Sequence, residues 1–156
     1  MPLIYSLSLA TAGNLTTSGT ANTEVDAFFV KAGVRNVGLQ AVYVIGKGTQ
    51  LTSLSGIAFR LIKLTTASTA GTGITPAPKD PGMQAAKATA ASRPTIGTTR
   101  VNHVVFGCGA TSSGGYVAPN VDSPMVLEGG GALSMDMLDV SATVSLTYEF
   151  SAEIIE

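Results

Sequence analysis

Thiol or acid–base chemistry in this chain would have to start from His103 and Cys108, its one histidine and one cysteine. A cysteine nucleophile and its histidine base must lie within hydrogen-bond reach of each other. Here they stand five positions apart in RVNHVVFGC, a segment whose alternation predicts a strand. Successive strand side chains point to opposite faces, so an odd separation sends the two apart. His103 then reads as an ordinary strand residue and Cys108 as a small inert one. A zinc site takes about four ligands, which one His and one Cys do not supply. The carboxylates Glu24, Asp26, Asp80, Asp122, Glu128, Asp136, Asp139, Glu149, Glu153 and Glu156 are scattered and form no calcium-loop spacing. The run Gly109–Gly114 is glycine-rich, but Gly115-Tyr116 stands where a phosphate loop needs Lys-Ser/Thr. The expectation is a non-enzyme with no metal and no cofactor.

Composition points the same way. Charged residues make up 12% of the 156, about half the ~25% of ordinary soluble domains; Ser, Thr, Gly and Ala take their place. Interface cores are depleted in Lys and Glu, so such a surface suits burial against neighbours and an oligomer or lattice. The nine basic residues are dispersed and the net charge is −1, which gives no footprint for nucleic acid or an anionic membrane. A single cysteine forms no internal disulfide, and the chain needs no oxidising compartment. The N-terminal MPLIYSLSLATAG has an apolar stretch but no basic residue before Lys31, so it reads as a strand and not as a secretory signal. Production in a cytoplasm is the expectation.

Period-two alternation dominates the elements. Strands are expected at Pro2–Ala10, at Thr23–Ala32 with Val25, Ala27 and Phe29 on one face, and at Gly38–Gly46. The last carries Leu39, Ala41, Tyr43 and Ile45 on one face and Val42 and Val44 on the other, so it reads as central or covered twice. Gly56–Thr65 turns Ile57, Phe59 and Leu61 inward. Further strands are expected at Arg100–Cys108, Gly115–Ala118, Ser123–Glu128 and Gly131–Leu138. The longest alternation is Asp139–Ser151, with Val140, Ala142, Val144, Leu146, Tyr148 and Phe150 toward the core. About eight strands separated by Gly and Pro signals predict an all-β, jelly-roll-like antiparallel β-sandwich, one domain over residues 1–156.

The stretch Thr65–Arg100 stands apart. It is built of Thr, Ala, Gly, Ser and Pro, has no aromatic residue, and has Ile74 and Ile96 as its large aliphatics. A connection that long is usually a functional loop or a linker, and it reads as an extended arm ordered by what it lies on. Within it, Thr65–Thr75 is expected to be extended, Pro76–Pro81 a turn and Arg93–Arg100 the return. Asp80–Thr89 is expected as a short helix, with Asp80 as cap and Pro81 in the first turn. Deleting Gly71–Ser92 is expected to leave a folded protein.

The elements Lys63-Leu64-Thr65-Thr66-Ala67, Gly71-Thr72, Thr75-Pro76, Pro78 and Asp80-Pro81 resemble those of small head proteins of tailed bacteriophages. The resemblance covers the C-terminal two thirds. It implies a capsid decoration (cement) protein, jelly-roll-like and often trimeric, located on the virion surface and made in the host cytoplasm. Its partner would be the major capsid protein, and the arm residues Thr72, Ile74, Pro76, Pro78, Pro81 and Met83 would contact it. The alternatives are another phage structural protein (tail, fibre or capsid subunit) and a carbohydrate-binding module. Sugar sites want exposed aromatic rings, and most of Tyr5, Tyr43, Tyr116 and Tyr148 are expected to face inward.

Overall fold

The structure is a computed structural model. It describes residues 3–8, 15–16, 24–47, 57–64, 66, 69, 71–92, 95, 100–108, 113–120, 122, 124–139 and 147–156. Among these residues every regular element is a β-strand. In chain order they are β1 (Ile4–Ser8), β2 (Leu15–Thr16), β3 (Glu24–Lys31), β4 (Val37–Gly46), β5 (Ile57–Leu64), β6 (Thr72–Ile74) and β7 (Ala77–Pro78). Then follow β8 (Thr89–Ser92), β9 (Arg100–Cys108), β10 (Ser113–Val117), β11 (Met125–Leu127), β12 (Ala132–Asp139) and β13 (Thr147–Ile155). The first sheet runs β10-β4-β13-β1-β7, with β11 also on β4 and β2 also on β13; the second runs β6-β8-β3-β12-β5-β9. All pairings are antiparallel. The all-β antiparallel sandwich expected from the alternation is the fold. The strands beyond the expected eight or so include β2 and three inside the supposed arm, β6, β7 and β8.

One hydrophobic cluster draws on both sheets and sits between them. From the first sheet it takes Tyr5, Leu7, Val42, Val44, Tyr148, Phe150 and Ile154; from the second, Phe28, Val30, Phe59 and Leu61. Phe59 is its centre. Its ring stacks on Phe106 of its own sheet at 5.5 Å and meets Tyr148 and Phe150 of the facing sheet edge-on at 5.0 and 5.8 Å. Edge-to-face contacts add about 0.5–1.5 kcal/mol each beyond area burial. The Tyr148 hydroxyl donates to the Cys108 carbonyl at 3.4 Å, a further tie between the sheets. In a chain with few aromatic residues, four of them converge on this one seam.

Two expected faces are changed by β-bulges. In β3, Phe28 pairs with Met135 and Asp26 with Asp136, so Ala27 is an extra residue. The core face passes to Phe28, Val30 and Ala32, while Phe29 is buried outside the central cluster. In β4, Ala41 pairs with Glu153 and Leu39 with Ile154, so Gln40 is extra. Val37 and Leu39 face the core before the bulge, and Val42 and Val44 after it. One inserted residue exchanges the two faces of everything beyond it.

Three further expectations change. β4 is central, as expected, but is not covered twice: Tyr43 and Ile45 are exposed. Ile62 and Leu64 are buried as well as Phe59 and Leu61, and form a second small cluster with Ala132. Asp139 ends β12 in the second sheet while Thr147 opens β13 in the first, so Asp139–Ser151 is not one strand of one sheet. Val140, Ala142, Val144 and Leu146 lie outside the described residues; Tyr148 and Phe150 are buried as expected.

Truncating Phe59 removes both inter-sheet contacts and leaves a cavity. Phe59→Ala is expected to lower stability by about 3–5 kcal/mol, read as a lower midpoint in guanidinium unfolding at unchanged slope.

Candidate functional site

The arm is a hairpin. Leu64 pairs with Arg100, Thr69 bridges Thr95 and Thr72 pairs with Ser92, all in one antiparallel register. The Thr69 and Thr95 backbones exchange hydrogen bonds of 3.0 and 2.8 Å. The β5–β9 ladder at one side of the second sheet and the β6–β8 ladder at the other share this register, and β8 also pairs with β3. What composition suggests is a loose connection is a two-stranded ribbon. β6 is exposed at Thr72 and Gly73, whereas β8 brings Ala90, Ala91 and Ser92 into the interior. Deleting Gly71–Ser92 would remove that buried strand, so the folded product expected from the sequence is no longer expected.

Residues 75–88 form the tip of this ribbon and cross to the first sheet. There Ala77 and Pro78 pair with Ser6 and Tyr5 of β1 as the edge strand β7. Proline is tolerated at an edge because its missing N–H costs no interior ladder bond. The Lys79 N–H donates to the Ile4 carbonyl at 3.0 Å, and its ammonium pairs with Glu153.

The expected helix over Asp80–Thr89 is absent. Asp80 and Pro81 instead start a turn closed by Met83 N–H to the Asp80 carbonyl at 3.3 Å. Gly82 has φ +91, a conformation that ends a right-handed helix. The helix-favouring Gln84–Ala88 spends its backbone groups on the sandwich. The Gln84 carbonyl accepts from the Tyr5 hydroxyl at 3.0 Å, and the Lys87 and Ala88 N–H groups donate to the Glu156 carboxylate.

The six arm residues proposed as partner contacts therefore divide. Thr72, Pro78 and Pro81 are exposed. Pro76 is buried, and Ile74 and Met83 are half-buried against the chain's own core. The described part of the arm is ordered by its own sandwich.

A second exposed surface was not foreseen. The outer face of the first sheet presents Tyr43 (43% exposed), Ile45 (50%), Val117 (59%) and Val126 (48%). Tyr43 lies between its cross-strand partners Gly115 and Ser151. A shallow groove of about 510 Å³ runs along Tyr43, Ile45, Ser113, Val117 and Ser151. At its rim Lys47 pairs with Glu149 at 2.5 Å. The signal that would have shown this face is the bulge at Gln40, which residue alternation does not encode.

Among the described residues no group of three or more His, Cys, Asp or Glu is placed to hold a metal ion. His103 is the bulged residue of β9, since Val104 pairs with Leu61 and Asn102 with Ile62. The simple parity count across β9 therefore does not hold. Five residues of strand still separate His103 from Cys108 by roughly 15 Å along the chain. Cys108 is buried. No helix among the described residues is long and apolar enough to cross a membrane.

No protein-family model and no curated protein matches the chain. Among solved structures, a chain of the T13 IBDV viral particle aligns over 99% of this chain and 39% of its own length. The identity is 9% and the TM-score 0.27. At that score the two folds are not equated, and the functional reading rests on this chain's own residues.

The bulge in β4 decides which of two neighbouring residues faces the core. Val44→Asp places a carboxylate in the core and is expected to abolish soluble folded protein. Ile45→Asp lies on the exposed face and is expected to change the melting temperature by no more than about 3 °C. Circular dichroism melts of the two variants check this.

Proposed function

We propose that the chain is a structural virion protein that decorates a bacteriophage capsid and bridges neighbouring major capsid subunits, working as a homotrimer or other homo-oligomer. The observation that carries this reading is the arm's placement. Thr72, Pro78 and Pro81 face outward on a ribbon already fixed to the sandwich. A contact surface ordered before binding loses little conformational entropy on docking. The charge-poor composition supports it, because few Lys and Glu need to be desolvated when the surface is covered. The resemblance of Lys63–Pro81 to small phage head proteins supplies the class of partner. Individually weak contacts repeated over a lattice sum to firm attachment.

A second reading, carbohydrate binding, is favoured by one observation: Tyr43 is turned outward beside Ser113 and Ser151 in the groove. An exposed ring flanked by hydroxyls is the arrangement on which a sugar face can stack. Binding on a glycan array that disappears with Tyr43→Ala would favour it over capsid decoration.

The leading reading is tested with Thr72→Glu, Pro78→Glu and Pro81→Glu combined, in co-sedimentation with capsids encoded beside the gene. All three positions are exposed, so the sandwich is expected to stay folded. Particle binding is expected to fall at least tenfold. Undiminished binding by the folded triple variant would show that the arm is not the contact.

A further inference from the structure

We infer that residues 75–88 are a releasable clasp across the open side of the sandwich, and that the Glu156 carboxylate is its latch. The clasp leaves sheet two at Ile74 and returns at Thr89, and between these points it seats on β1 of sheet one. Little apolar surface holds it. Residues 75, 77–82, 84, 85 and 87 are exposed, Pro76 and Ala88 are buried, and Met83 and Ala86 are half-buried. Segments with few buried apolar contacts open at a fraction of the global unfolding free energy.

Polar grips therefore decide its position. Both Glu156 oxygens accept from the Lys87 N–H at 2.9 Å, and one also accepts from the Ala88 N–H. Bonds from backbone N–H to an ionised carboxylate are about twice as strong as neutral ones. The latch is preset: the Glu156 backbone is locked to Leu3 by reciprocal bonds of 2.9 and 3.0 Å, which continue the β1–β13 ladder. A second carboxylate of the same strand end, Glu153, holds the Lys79 ammonium. The Tyr5 hydroxyl holds Gln84 between them.

From the other side Lys87 rests on Gly33. A Cβ at residue 33 would lie 2.6 Å from the Lys87 carbonyl oxygen. The turn at Gly33 and the carboxylate of Glu156 thus grip the same peptide from two directions. Releasing the clasp frees the edge of β1 at Tyr5 and Ser6, the two positions that β7 covers. It leaves β8, β3 and the aromatic seam in place.

The inference concerns the isolated chain and stands apart from the capsid reading, so either can fail without the other. Limited trypsin digestion of the folded protein tests it, because Lys79 and Lys87 both lie in the clasp. In Glu156→Ala, cleavage after these two lysines is expected to quicken at least tenfold. Hydrogen exchange is expected to quicken at the Lys79, Lys87 and Ala88 amides and to stay unchanged in β3, β5 and β12. Gly33→Ala is expected to act in the same direction, and Glu156→Gln, which keeps an acceptor oxygen, to lie between. Unchanged cleavage after Lys79 and Lys87 in Glu156→Ala would overturn the inference. So would global loss of protection in Glu156→Ala, because the carboxylate would then be a pillar of the whole fold and not a latch.

Discussion

A single antiparallel register, shared by Ile62–Asn102, Thr69–Thr95 and Ile74–Ala90, is the constraint on which the rest of this structure depends. A sandwich of two open sheets has exposed edges, and an exposed edge is a template for unwanted pairing. The ribbon addresses this twice. Its base supplies β5 and β9 at one side of the second sheet, and its far end supplies β6 and β8 at the other. Its tip then reaches the first sheet and covers part of β1. On the opposite side, the edge strands β9 and β10 of the two sheets approach each other. Were the register to slip by one residue, every side chain of the ribbon would change face, and Ala90 would leave the core.

The same arrangement explains why so poor a supply of aromatic residues suffices. The ribbon base places Phe59 and Phe106 side by side, and the facing sheet brings Tyr148 and Phe150 onto Phe59. The aromatic contacts lie at that seam, while the tip is attached by hydrogen bonds, by the Lys79–Glu153 ion pair and by the packing of Met83 and Ala86 on the core.

Much of this was legible in the sequence, for a physical reason. Alternation reports burial wherever a strand is regular, and it placed Phe59, Leu61, Tyr148 and Phe150 inside, as the structure does. It missed the exposure of Tyr43 and Ile45, because β4 is apolar on both faces and a bulge adds one residue without any change in composition. The helix over Asp80–Thr89 was local propensity overridden by tertiary bonds: Glu156 and Tyr5, distant in sequence, claim the backbone groups that a helix would have used. The arm looked structureless because Thr, Ala and Gly carry no hydrophobic period. Its pairing partner is its own returning limb, and composition does not reveal that. The candidate contacts divided for the same reason, since nothing local distinguishes buried Pro76 from exposed Pro78.

The central claim is that the arm is fixed on its own sandwich and offers its outer ridge to a neighbouring subunit. Cryo-microscopy of particles assembled from the genome that carries this gene tests it most directly. The account predicts density for the chain on the outside of the capsid shell, with residues 71–82 at the contact and Pro76 still buried within its own subunit. Particles that lack the chain, or that hold it through another face with residues 71–82 pointing into solvent, would contradict it.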